Sequence, residues 1–540
     1  MGELISLKNV NFSFENISEP LIRRANLEFQ TGEFALLSGP TGSGKSTLLK
    51  IINRLAPNFT GGGMSGVILV DGKDISESSP HEVAHLIGYV SQKPEDSFVT
   101  ESVREELAYG MELLGFEPHL MCSNVTEVAK LVGIEPLLDA KLSELSGGEQ
   151  QRVAIGAALA AGQRVLLLDE PSSSLDSKMA EDLVSLLRRL ASEHGKTVIL
   201  AEHRLERVLD VVDSVVMVHA DGSVTKGSAN SQFLDDRVAP PIISLSKRLG
   251  WLPLETNLIE ARNRWQKNAD SIRILPLAKT NNIEKLVALT VKDLGVSYSG
   301  KTVLRNLNFD LRAENLTVLM GANGSGKSSA LWAIQGSGPR ATGEVITPLG
   351  DSARLEQSER LQVLAMVPQK ASDLLFLSTV SKELAEADEI AGQPRGTTGR
   401  ILEWLIGRID TKTHPRDLSS GQQLALVLAM QLNKNASVIL LDEPTRGLDY
   451  SAKQHLAELL RKLKLEGKSI LLASHDVEFI AQVADEIHIL ENGLIAKSGV
   501  PREILNPNSE YATQMGRISQ LPGFLLVEQL VPQGANADEK

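Results

Sequence analysis

Short, continuous apolar runs recur along the chain, and most of them end at a polar or glycine-rich stretch. Two such runs, Phe34–Leu37 and Leu316–Met320, precede glycine-rich segments, after which apolar residues return at helical spacing. Further runs lie at 164–169, 197–201, 438–442 and 469–473. Continuous apolar runs of this length are typical of parallel strands that are covered on both faces. The pattern therefore predicts an α/β fold.

The same order of segments occurs twice along the chain. The separation between corresponding residues shrinks slowly and never jumps, as expected of two homologous halves with small loop deletions in the second. The ends of the halves also correspond, because Asp213–Gly227 and Asp485–Gly499 both predict a strand, a tight turn at Asp-Gly or Asn-Gly, and a second strand. The chain is therefore a tandem duplication. Corresponding residues include Lys45 and Lys327, Asp169 and Asp442, and His203 and His475.

Each half begins with short alternating segments, Ile5–Val10 and Ala288–Leu294, which predict a small β layer before the phosphate loop. The segment between the halves belongs to neither repeat, and it contains Pro240, Pro241 and an amphipathic helix predicted over Thr256–Trp265. We predict a first domain at 1–229, a helical appendage and linker at 230–285, a second domain at 286–505, and a C-terminal extension at 506–540 that ends in a disordered tail.

Length, charge and cysteine content limit the classes of protein to consider. A chain of 540 residues is too long for one core, which agrees with two domains. The net charge of −13 argues against a nucleic-acid surface. The single cysteine, Cys122, excludes an internal disulfide and fits a reducing cytosol. Because neither a signal peptide nor a run of about 18 apolar residues is evident, we expect a cytoplasmic location without a membrane span.

Both glycine-rich segments fit the pattern G-x-x-x-x-G-K-[ST] of a phosphate-binding loop. Glycines let consecutive backbone N–H groups point inward at a helix N-terminus, the lysine supplies charge for the β- and γ-phosphates, and the serine hydroxyl can ligate Mg²⁺. A chance glycine-rich turn could explain one match but not two in the same context. The sequence predicts two nucleoside-triphosphate sites, formed by Gly39, Pro40, Thr41, Gly42, Ser43, Gly44, Lys45, Ser46 and Thr47, and by Gly321, Ala322, Asn323, Gly324, Ser325, Gly326, Lys327, Ser328 and Ser329.

A buried strand in each half is predicted to end in two acidic residues, Asp169-Glu170 and Asp442-Glu443. A carboxylate at the end of such a strand, beside a phosphate loop, can hold Mg²⁺ through its water shell. The neighbouring carboxylate can act as the general base that polarises the attacking water. We therefore predict Asp169 and Asp442 as metal ligands with Ser46 and Ser328, and Glu170 and Glu443 as catalytic bases.

The segment Leu145–Gln150, which reads Leu-Ser-Gly-Gly-Glu-Gln, and its counterpart Leu418–Gln423 precede the acidic strand ends by about one helix length. Phosphate loop, this signature, Asp-Glu-Pro and a later histidine, in that order, resemble the ATP-binding-cassette (ABC) ATPases over nearly the whole chain. The resemblance implies two tandem P-loop NTPase domains, each with a RecA-like core, an N-terminal antiparallel β layer and an α-helical signature subdomain. It also implies that the two cassettes pair within one chain and close head to tail on two ATP molecules.

The resemblance assigns roles to further residues. Gln92 and Gln369 would sense Mg²⁺ and the attacking water, as catalytic and metal-binding residues. For Phe14, one of two aromatic residues that would stack on adenine, simple core packing is an equal alternative. The other assignments are the aromatic Tyr298, the histidines His203 and His475 that would steady the γ-phosphate, Asp176 and Asp449 that would touch across the cassette dimer, and the signature residues Ser146, Gly147, Gly148, Ser419, Ser420 and Gly421 that would approach ATP.

The residues that follow each of these glutamines resemble the energy-coupling-factor (ECF) ATPases. Gln92–Ala108 and Gln369–Ala385 align without gaps and are similar to the family pattern of Gln-Asn-Pro-acidic-x-Gln-apolar followed by Val-x-x-acidic-acidic. In that family the segment forms a helix that docks the coupling helices of a membrane T-component. Ala201–Glu206 and Ala239–Ile242 are also similar to ECF segments. The chain departs from the pattern at Ser97, where Gln is usual, and its second copy lacks the Pro-Glu pair.

The resemblance implies an ATPase subunit, peripheral on the cytoplasmic face of the membrane, that hydrolyses ATP to ADP and phosphate. It would work with a transmembrane T-component and a substrate-binding membrane subunit to take up a vitamin, a vitamin precursor or a transition-metal ion. One alternative is the fused ATPase subunit of a sugar-type ABC importer, which shares the chemistry and differs in its partner. Another is a soluble tandem-cassette ATPase of ribosomes, which joins its cassettes by a long, charged helical arm that this linker does not resemble.

Two further expectations concern the contact with the membrane partner and a difference between the two ATP sites. We expect the membrane contact on Glu95–Leu107 and Asp373–Leu384, with Phe98 and Phe376 as contact side chains, because apolar and acidic residues alternate there at helical spacing. We also expect unequal ATP sites, because Ser420 stands in the second signature where the first has Gly147.

Overall fold

The computed structural model describes residues 2–15, 19–173, 175–234, 239–276, 286–298 and 300–531. The chain divides into two compact units, Met1–Asn257 and Leu258–Lys540, which we call the first and second unit. The division falls inside the segment 230–285 that the sequence set apart as an appendage and linker. No helix in these described ranges combines the length and apolar character that a bilayer crossing needs.

Among its described residues, the first unit contains ten strands and nine α-helices. The strands are β1 (Glu3–Ser13), β2 (Ile22–Gln30), β3 (Phe34–Ser38), β4 (Gly63–Val70), β5 (Lys73–Asp74), β6 (Ile87–Val90), β7 (Val165–Asp169), β8 (Thr197–Ala201), β9 (Ser214–Val218) and β10 (Val224–Gly227). The helices are α1 (Lys45–Ile52), α2 (Leu55–Asn58), α3 (Pro80–Val83), α4 (Val103–Leu113), α5 (Pro118–Val132), α6 (Gly147–Ala157), α7 (Ser177–Ser192), α8 (Ala229–Phe233) and α9 (Pro241–Arg248).

Two sheets organise the first unit. Strands β2-β1-β4-β5 form an antiparallel sheet, and β10-β9-β3-β8-β7-β6 form a sheet that is parallel except for the hairpin β9–β10. Every residue of β3, β7 and β8 is buried, which explains why these strands appear in the sequence as unbroken apolar runs. Because β3 and β7 both run parallel to β8, their carboxyl ends lie at one edge of the sheet. That edge carries the first phosphate loop and Asp169.

The second unit repeats this plan after one additional helix. Its strands are β11 (Val287–Tyr298), β12 (Lys301–Arg312), β13 (Leu316–Met320), β14 (Thr342–Thr347), β15 (Gly350–Asp351), β16 (Leu364–Val367), β17 (Val438–Asp442), β18 (Ser469–Ala473), β19 (Glu486–Glu491) and β20 (Leu494–Gly499). Its helices are α10 (Leu258–Asn268), α11 (Lys327–Gln335), α12 (Gln357–Val363), α13 (Val380–Ala391), α14 (Thr397–Ile406), α15 (Ser420–Leu432), α16 (Tyr450–Leu465), α17 (Val477–Val483), α18 (Pro501–Ile504) and α19 (Gln514–Ser519).

The sheets of the second unit match those of the first. Strands β12-β11-β14-β15 are antiparallel, and β16-β17-β18-β13-β19-β20 are parallel apart from the last hairpin. Helices α4, α5 and α6 pack on one another in the first unit, as α13, α14 and α15 do in the second. The predicted tandem α/β architecture, with an antiparallel layer, a mainly parallel core sheet and a helical subdomain in each half, is confirmed.

The segment between the halves contributes α9 to the first unit and α10 to the second. Helix α10 begins at Leu258, two residues after the predicted start, and packs against α19 of the C-terminal extension. The Trp265 ring stacks on Phe524 with centroids 5.3 Å apart, and the Arg262 guanidinium donates to the Arg517 carbonyl oxygen. The extension is thus ordered up to residue 531. The tail predicted to be disordered lies outside the described residues.

Candidate active site

Each phosphate loop leaves the carboxyl end of a buried strand and enters a helix. The first joins β3 to α1, and the second joins β13 to α11. Glycine is required where each loop begins, because a Cβ on Gly39 would lie 2.2 Å from the Val218 carbonyl oxygen and one on Gly321 would lie 2.4 Å from the Leu490 carbonyl oxygen. Both glycines have positive φ, 147° and 156°. The chain can therefore turn sharply and bring its N–H groups together.

The lysine of each loop is folded back over the loop itself. The Lys45 ammonium donates to the carbonyl oxygens of Gly39 at 2.8 Å and Pro40 at 3.0 Å. Lys327 donates in the same way, at 2.8 Å and 3.0 Å, to the carbonyl oxygens of Gly321 and Ala322. Both lysines are only 6% exposed, so their charge is held inside the concave loop. This arrangement fits a multiply charged phosphate ligand.

Each phosphate loop also contains a buried serine hydroxyl without a described hydrogen-bond partner. The hydroxyl oxygens of Ser43 and Ser325 are buried and have no hydrogen-bond partner in the described part of the chain. Buried hydroxyls are normally paired, so an unpaired one at the same place in two loops indicates that a ligand supplies the partner. The residues of both loops therefore fit the predicted nucleotide.

The serine after each lysine is paired with the aspartate at the end of a core strand. The Ser46 hydroxyl donates to Asp169 Oδ1 at 2.8 Å, and Ser328 donates to Asp442 Oδ1 at 3.0 Å. Burial raises the pKa of Asp169, and it raises the pKa of Asp442 to about 6. A hydroxyl and a carboxylate oxygen side by side are oxygen ligands of the kind that Mg²⁺ prefers. The positive charge of a bound cation would lower the pKa of both aspartates.

The neighbouring Glu170 is held by two side chains. His203 Nε2 lies 2.9 Å from Glu170 Oε1, and the Gln92 amide donates to Oε2 at 2.8 Å. Burial alone would raise the pKa of Glu170, but the hydrogen bond and charge of His203 and the charge of Lys45 lower it below its usual value. Glu170 is therefore ionised at neutral pH, in the form that can accept a proton.

The second unit repeats the contact between histidine and glutamate but not the contact from glutamine. His475 lies 2.9 Å from Glu443 Oε1 through its other ring nitrogen, Nδ1. Lys327 Nζ lies 3.9 Å from the same oxygen. Gln369 is exposed, and no hydrogen bond joins it to Glu443 among the described contacts. Glu170 and Glu443 share a left-handed backbone, φ 49° and 47°, a strained conformation that often occurs at functional sites.

Each signature forms the N-terminus of a helix, as the sequence implied. Ser146 caps α6 in a reciprocal pair with Glu149, and Ser419 caps α15 in the same way with Gln422. Hydrogen bonds from Ser146 lower the pKa of Glu149, so the first signature carries a negative charge that the second lacks. The pairing of each signature with the ATP of the other half stays a prediction.

The remaining predicted residues occupy structural positions of different kinds. Asp176 and Asp449 are the N-caps of α7 and α16, accepting from backbone N–H groups at 2.9 Å and 2.8 Å. Phe14 is half-buried against Phe12 in an edge-on pair with centroids 5.1 Å apart, so core packing accounts for much of its surface. Tyr298 is 44% exposed at the end of β11 and is accessible to a ligand.

The sequence did not identify Tyr89 as a neighbour of the first site. Its hydroxyl lies 3.4 Å from Asp169 Oδ2, and burial beside this carboxylate raises the pKa of the phenol. The repeat alignment could have drawn attention to it, since Met366 stands at the corresponding place in the second half. The two acidic strand ends thus have different neighbours.

Comparison with known proteins gives consistent results. A profile described as "ABC transporter" matches residues 22–173 and 304–446. A protein of Streptomyces avermitilis named "Putative ABC transporter ATP-binding protein" is 37% identical, over 98% of this chain and 99% of its own length. A protein with a similar name from Streptomyces coelicolor is 36% identical over 98% of this chain and 99% of its own length. A solved structure described as cbiO1 from Clostridium perfringens, part of the ABC transporter complex cbiONQ, is 27% identical over 48% of this chain and 100% of that chain, with a TM-score of 0.40.

Proposed function

This chain belongs to the ABC transporter family, as an ATP-binding subunit with two cassettes, and from that premise we propose that it drives an ECF-type importer. In this proposal it hydrolyses ATP on the cytoplasmic face of the membrane. It passes the resulting movement to a transmembrane T-component and a substrate-binding membrane subunit. The cargo is a vitamin, a vitamin precursor or a transition-metal ion.

The residues of both halves support hydrolysis in each. Glu170 and Glu443 act as general bases, positioned by His203 and His475. Lys45 and Lys327 neutralise the phosphates. Mg²⁺, held near Ser46 with Asp169 and near Ser328 with Asp442, would neutralise charge on the β- and γ-phosphates. The two signatures complete the sites when the cassettes close head to tail.

The proposed contact with the T-component is supported by one observation, an exposed apolar side chain in the segment of each half that resembles the ECF docking segment. Val99 is 62% exposed and Phe376 is 81% exposed, and the two residues correspond in the gapless alignment of the halves. Isolated exposed apolar side chains are common on protein surfaces, but these two occupy equivalent places in the two segments that resemble the ECF docking segment. We therefore assign both side chains to the T-component contact.

The structure changes two details of the expected contact. A helix was expected across each segment, but α4 begins only at Val103 and α13 only at Val380, because Ser102 and Thr379 cap them there. The preceding residues form a loop after a short 3₁₀ turn. Phe98, expected as a contact residue, is half-buried, and its counterpart Leu375 is only 4% exposed, so Val99 replaces Phe98 as the contact residue.

The proposal is tested by identifying the membrane proteins that bind the chain. The tagged protein is purified from detergent-solubilised membranes of its own host, and the bound subunits are identified and counted. We expect one multi-span scaffold and a small substrate-binding membrane protein. A pair of related permease subunits would instead establish a sugar-type importer. Recovery with ribosomal subunits from the soluble fraction, and with no membrane protein, would establish the ribosomal alternative.

A further inference from the structure

The loop that carries Val99 is held by a buried carboxylate of the helix that follows it. Three donors converge on Glu106 Oε2: the Val99 and Thr100 backbone N–H groups, each at 3.0 Å, and the Thr100 hydroxyl at 2.9 Å. Glu106 lies in the first turn of α4 and is only 7% exposed. The carboxylate therefore replaces the backbone pairing that a loop lacks.

The second unit has the same arrangement with fewer donors. The Leu377 N–H group donates to Glu383 Oε1 at 2.7 Å, and Glu383 is 2% exposed in the first turn of α13. Glu383 corresponds to Glu106, and Leu377 corresponds to Thr100. Leucine has no hydroxyl, and the described hydrogen bonds include none from the Phe376 N–H to Glu383, so one of the three donors remains. The hydrogen bond from the loop backbone to the glutamate carboxylate is therefore the contact that both halves share.

Burying a carboxylate is costly unless donors compensate for the lost water, and charge-assisted hydrogen bonds are among the strongest in proteins. Exposing Val99 and Phe376 is also unfavourable. A loop free to move could turn these side chains toward the surface of its own unit. The two glutamates keep the loops in the conformation that leaves both side chains open.

We propose that Glu106 and Glu383 are positioning residues for coupling to the membrane partner. They fix the loops that present Val99 and Phe376, and so set the geometry of the docking surface before a partner arrives. This proposal rests on the proposed function, because it takes these side chains to be the contact with the T-component. The described hydrogen bonds to the side chains of Glu106 and Glu383 come from their own loops, not from the phosphate loops or the acidic strand ends.

The same loop in the first unit is also tied to the ATP site. Gln92, a few residues earlier, donates to the catalytic Glu170, and only the 3₁₀ turn Pro94–Asp96 and the loop separate it from Val99. In the second unit Gln369 is exposed, and the described hydrogen bonds include none from it to Glu443, so this link between the loop and the catalytic glutamate is described for the first unit only. Loss of Glu106 should consequently disturb coupling more than loss of Glu383.

Amide hydrogen exchange of the full-length chain tests the positioning role without a partner. We expect exchange of the Val99 and Thr100 amides to rise at least about tenfold in Glu106→Ala. The increase should be smaller in Glu106→Gln, and smaller still in Thr100→Leu, which copies the second half. Matched controls are Glu112→Gln and Glu386→Gln, which change exposed carboxylates of α4 and α13. Equal exchange in Glu106→Ala and in the controls, or a loss of global stability that accounts for the increase, would overturn the proposal.

A second readout separates this proposal from the proposed function. In membranes that contain the copurified subunits, Glu106→Gln should lower transport per ATP hydrolysed about tenfold, and Glu383→Gln should lower it less, while ATPase activity of the isolated chain stays within about twofold. If Val99→Asp with Phe376→Asp abolishes transport but the glutamate variants do not affect it, the positioning role is wrong and the docking site stands. If all these variants transport normally, the docking site itself is wrong.

Discussion

The Ser420 hydroxyl donates to the backbone carbonyl oxygen of Gly447, 3.2 Å away in the same unit. This bond ties the N-terminus of α15 to the turn that leads into α16. The first signature cannot make this hydrogen bond, because Gly147 stands at the corresponding place and glycine has no hydroxyl. A Cβ at Gly147 would meet nothing within 4 Å. Ser420 therefore does not point freely to solvent, and the two signatures differ in a hydrogen bond as well as in sequence.

This difference leads to a prediction about the two ATP sites. In a head-to-tail pair, the loop of Lys45 receives the second signature, in which a Cβ and an occupied hydroxyl replace a glycine. Loss of one charge-assisted hydrogen bond to phosphate costs about 1.5–3 kcal/mol, which corresponds to a tenfold or larger effect on rate. The Lys45 site should be the slower one, so Glu443→Gln should reduce steady-state ATPase activity more than Glu170→Gln.

Two reciprocal variants serve as controls for this asymmetry. Ser420→Gly should narrow the difference between the two single glutamate variants, and Gly147→Ser, for which the structure has room, should slow the Lys327 site. Equal rates for the single glutamate variants, or the reverse order, would contradict the predicted asymmetry.

Replacing both catalytic glutamates tests the assignment of the general bases. Glu170→Gln with Glu443→Gln keeps the shape of each side chain but removes the group that accepts the proton. We expect ATP affinity to stay within a few-fold and turnover to fall at least about 100-fold. Binding of a fluorescent ATP analogue and phosphate release measure the two properties. Hydrolysis at the parent rate would show that neither glutamate is the base.

Asp442 should destabilise the nucleotide-free protein. Its pKa is raised from 3.8 to about 6, mainly by burial, so the folded state binds its proton more tightly than the unfolded state does. The cost of ionising Asp442 is therefore fully present above pH 6 and disappears as the pH falls from 6 toward 4. Asp442→Asn should raise the free energy of unfolding of the second unit by up to about 3 kcal/mol at pH 7.5.

The control is the pH dependence of this increase in the free energy of unfolding. Urea unfolding is measured in EDTA without nucleotide, at pH 7.5 and pH 4.5, and the gain should shrink at the lower pH. Lower stability of Asp442→Asn at pH 7.5, or a gain that does not change with pH, would contradict the raised pKa.

The sequence predicted the core strands well because burial on both faces leaves an unbroken apolar run. Leu316–Met320 is strand β13 to the residue, and Phe34–Leu37 differs from β3 by one residue. The phosphate loops and acidic strand ends followed from the same order of segments. The phosphate loop and the acidic strand end of the first unit lie at one edge of the sheet because β3 and β7 both run parallel to β8.

Features that depend on distant or irregular contacts could not be predicted from the sequence. The loop that carries Phe98 and Val99 is hydrogen-bonded to Glu106, a contact that no periodicity reveals. Tyr89 reaches Asp169 only because β6 and β7 are neighbours. The packing of α10 on α19 joins segments that are far apart in the sequence, and the composition of the linker gave no sign of it.

One measurement tests directly whether these cassettes drive transport through Val99 and Phe376. ATP-dependent uptake is compared with ATPase activity of the isolated chain for Val99→Asp with Phe376→Asp. The controls are Phe59→Asp and Leu465→Asp, which change apolar residues 77% and 88% exposed elsewhere. We predict that the double variant loses transport at least about tenfold and keeps its ATPase activity within about twofold, whereas the controls transport normally. A double variant that assembles with its membrane partners and transports at the parent rate would contradict the account.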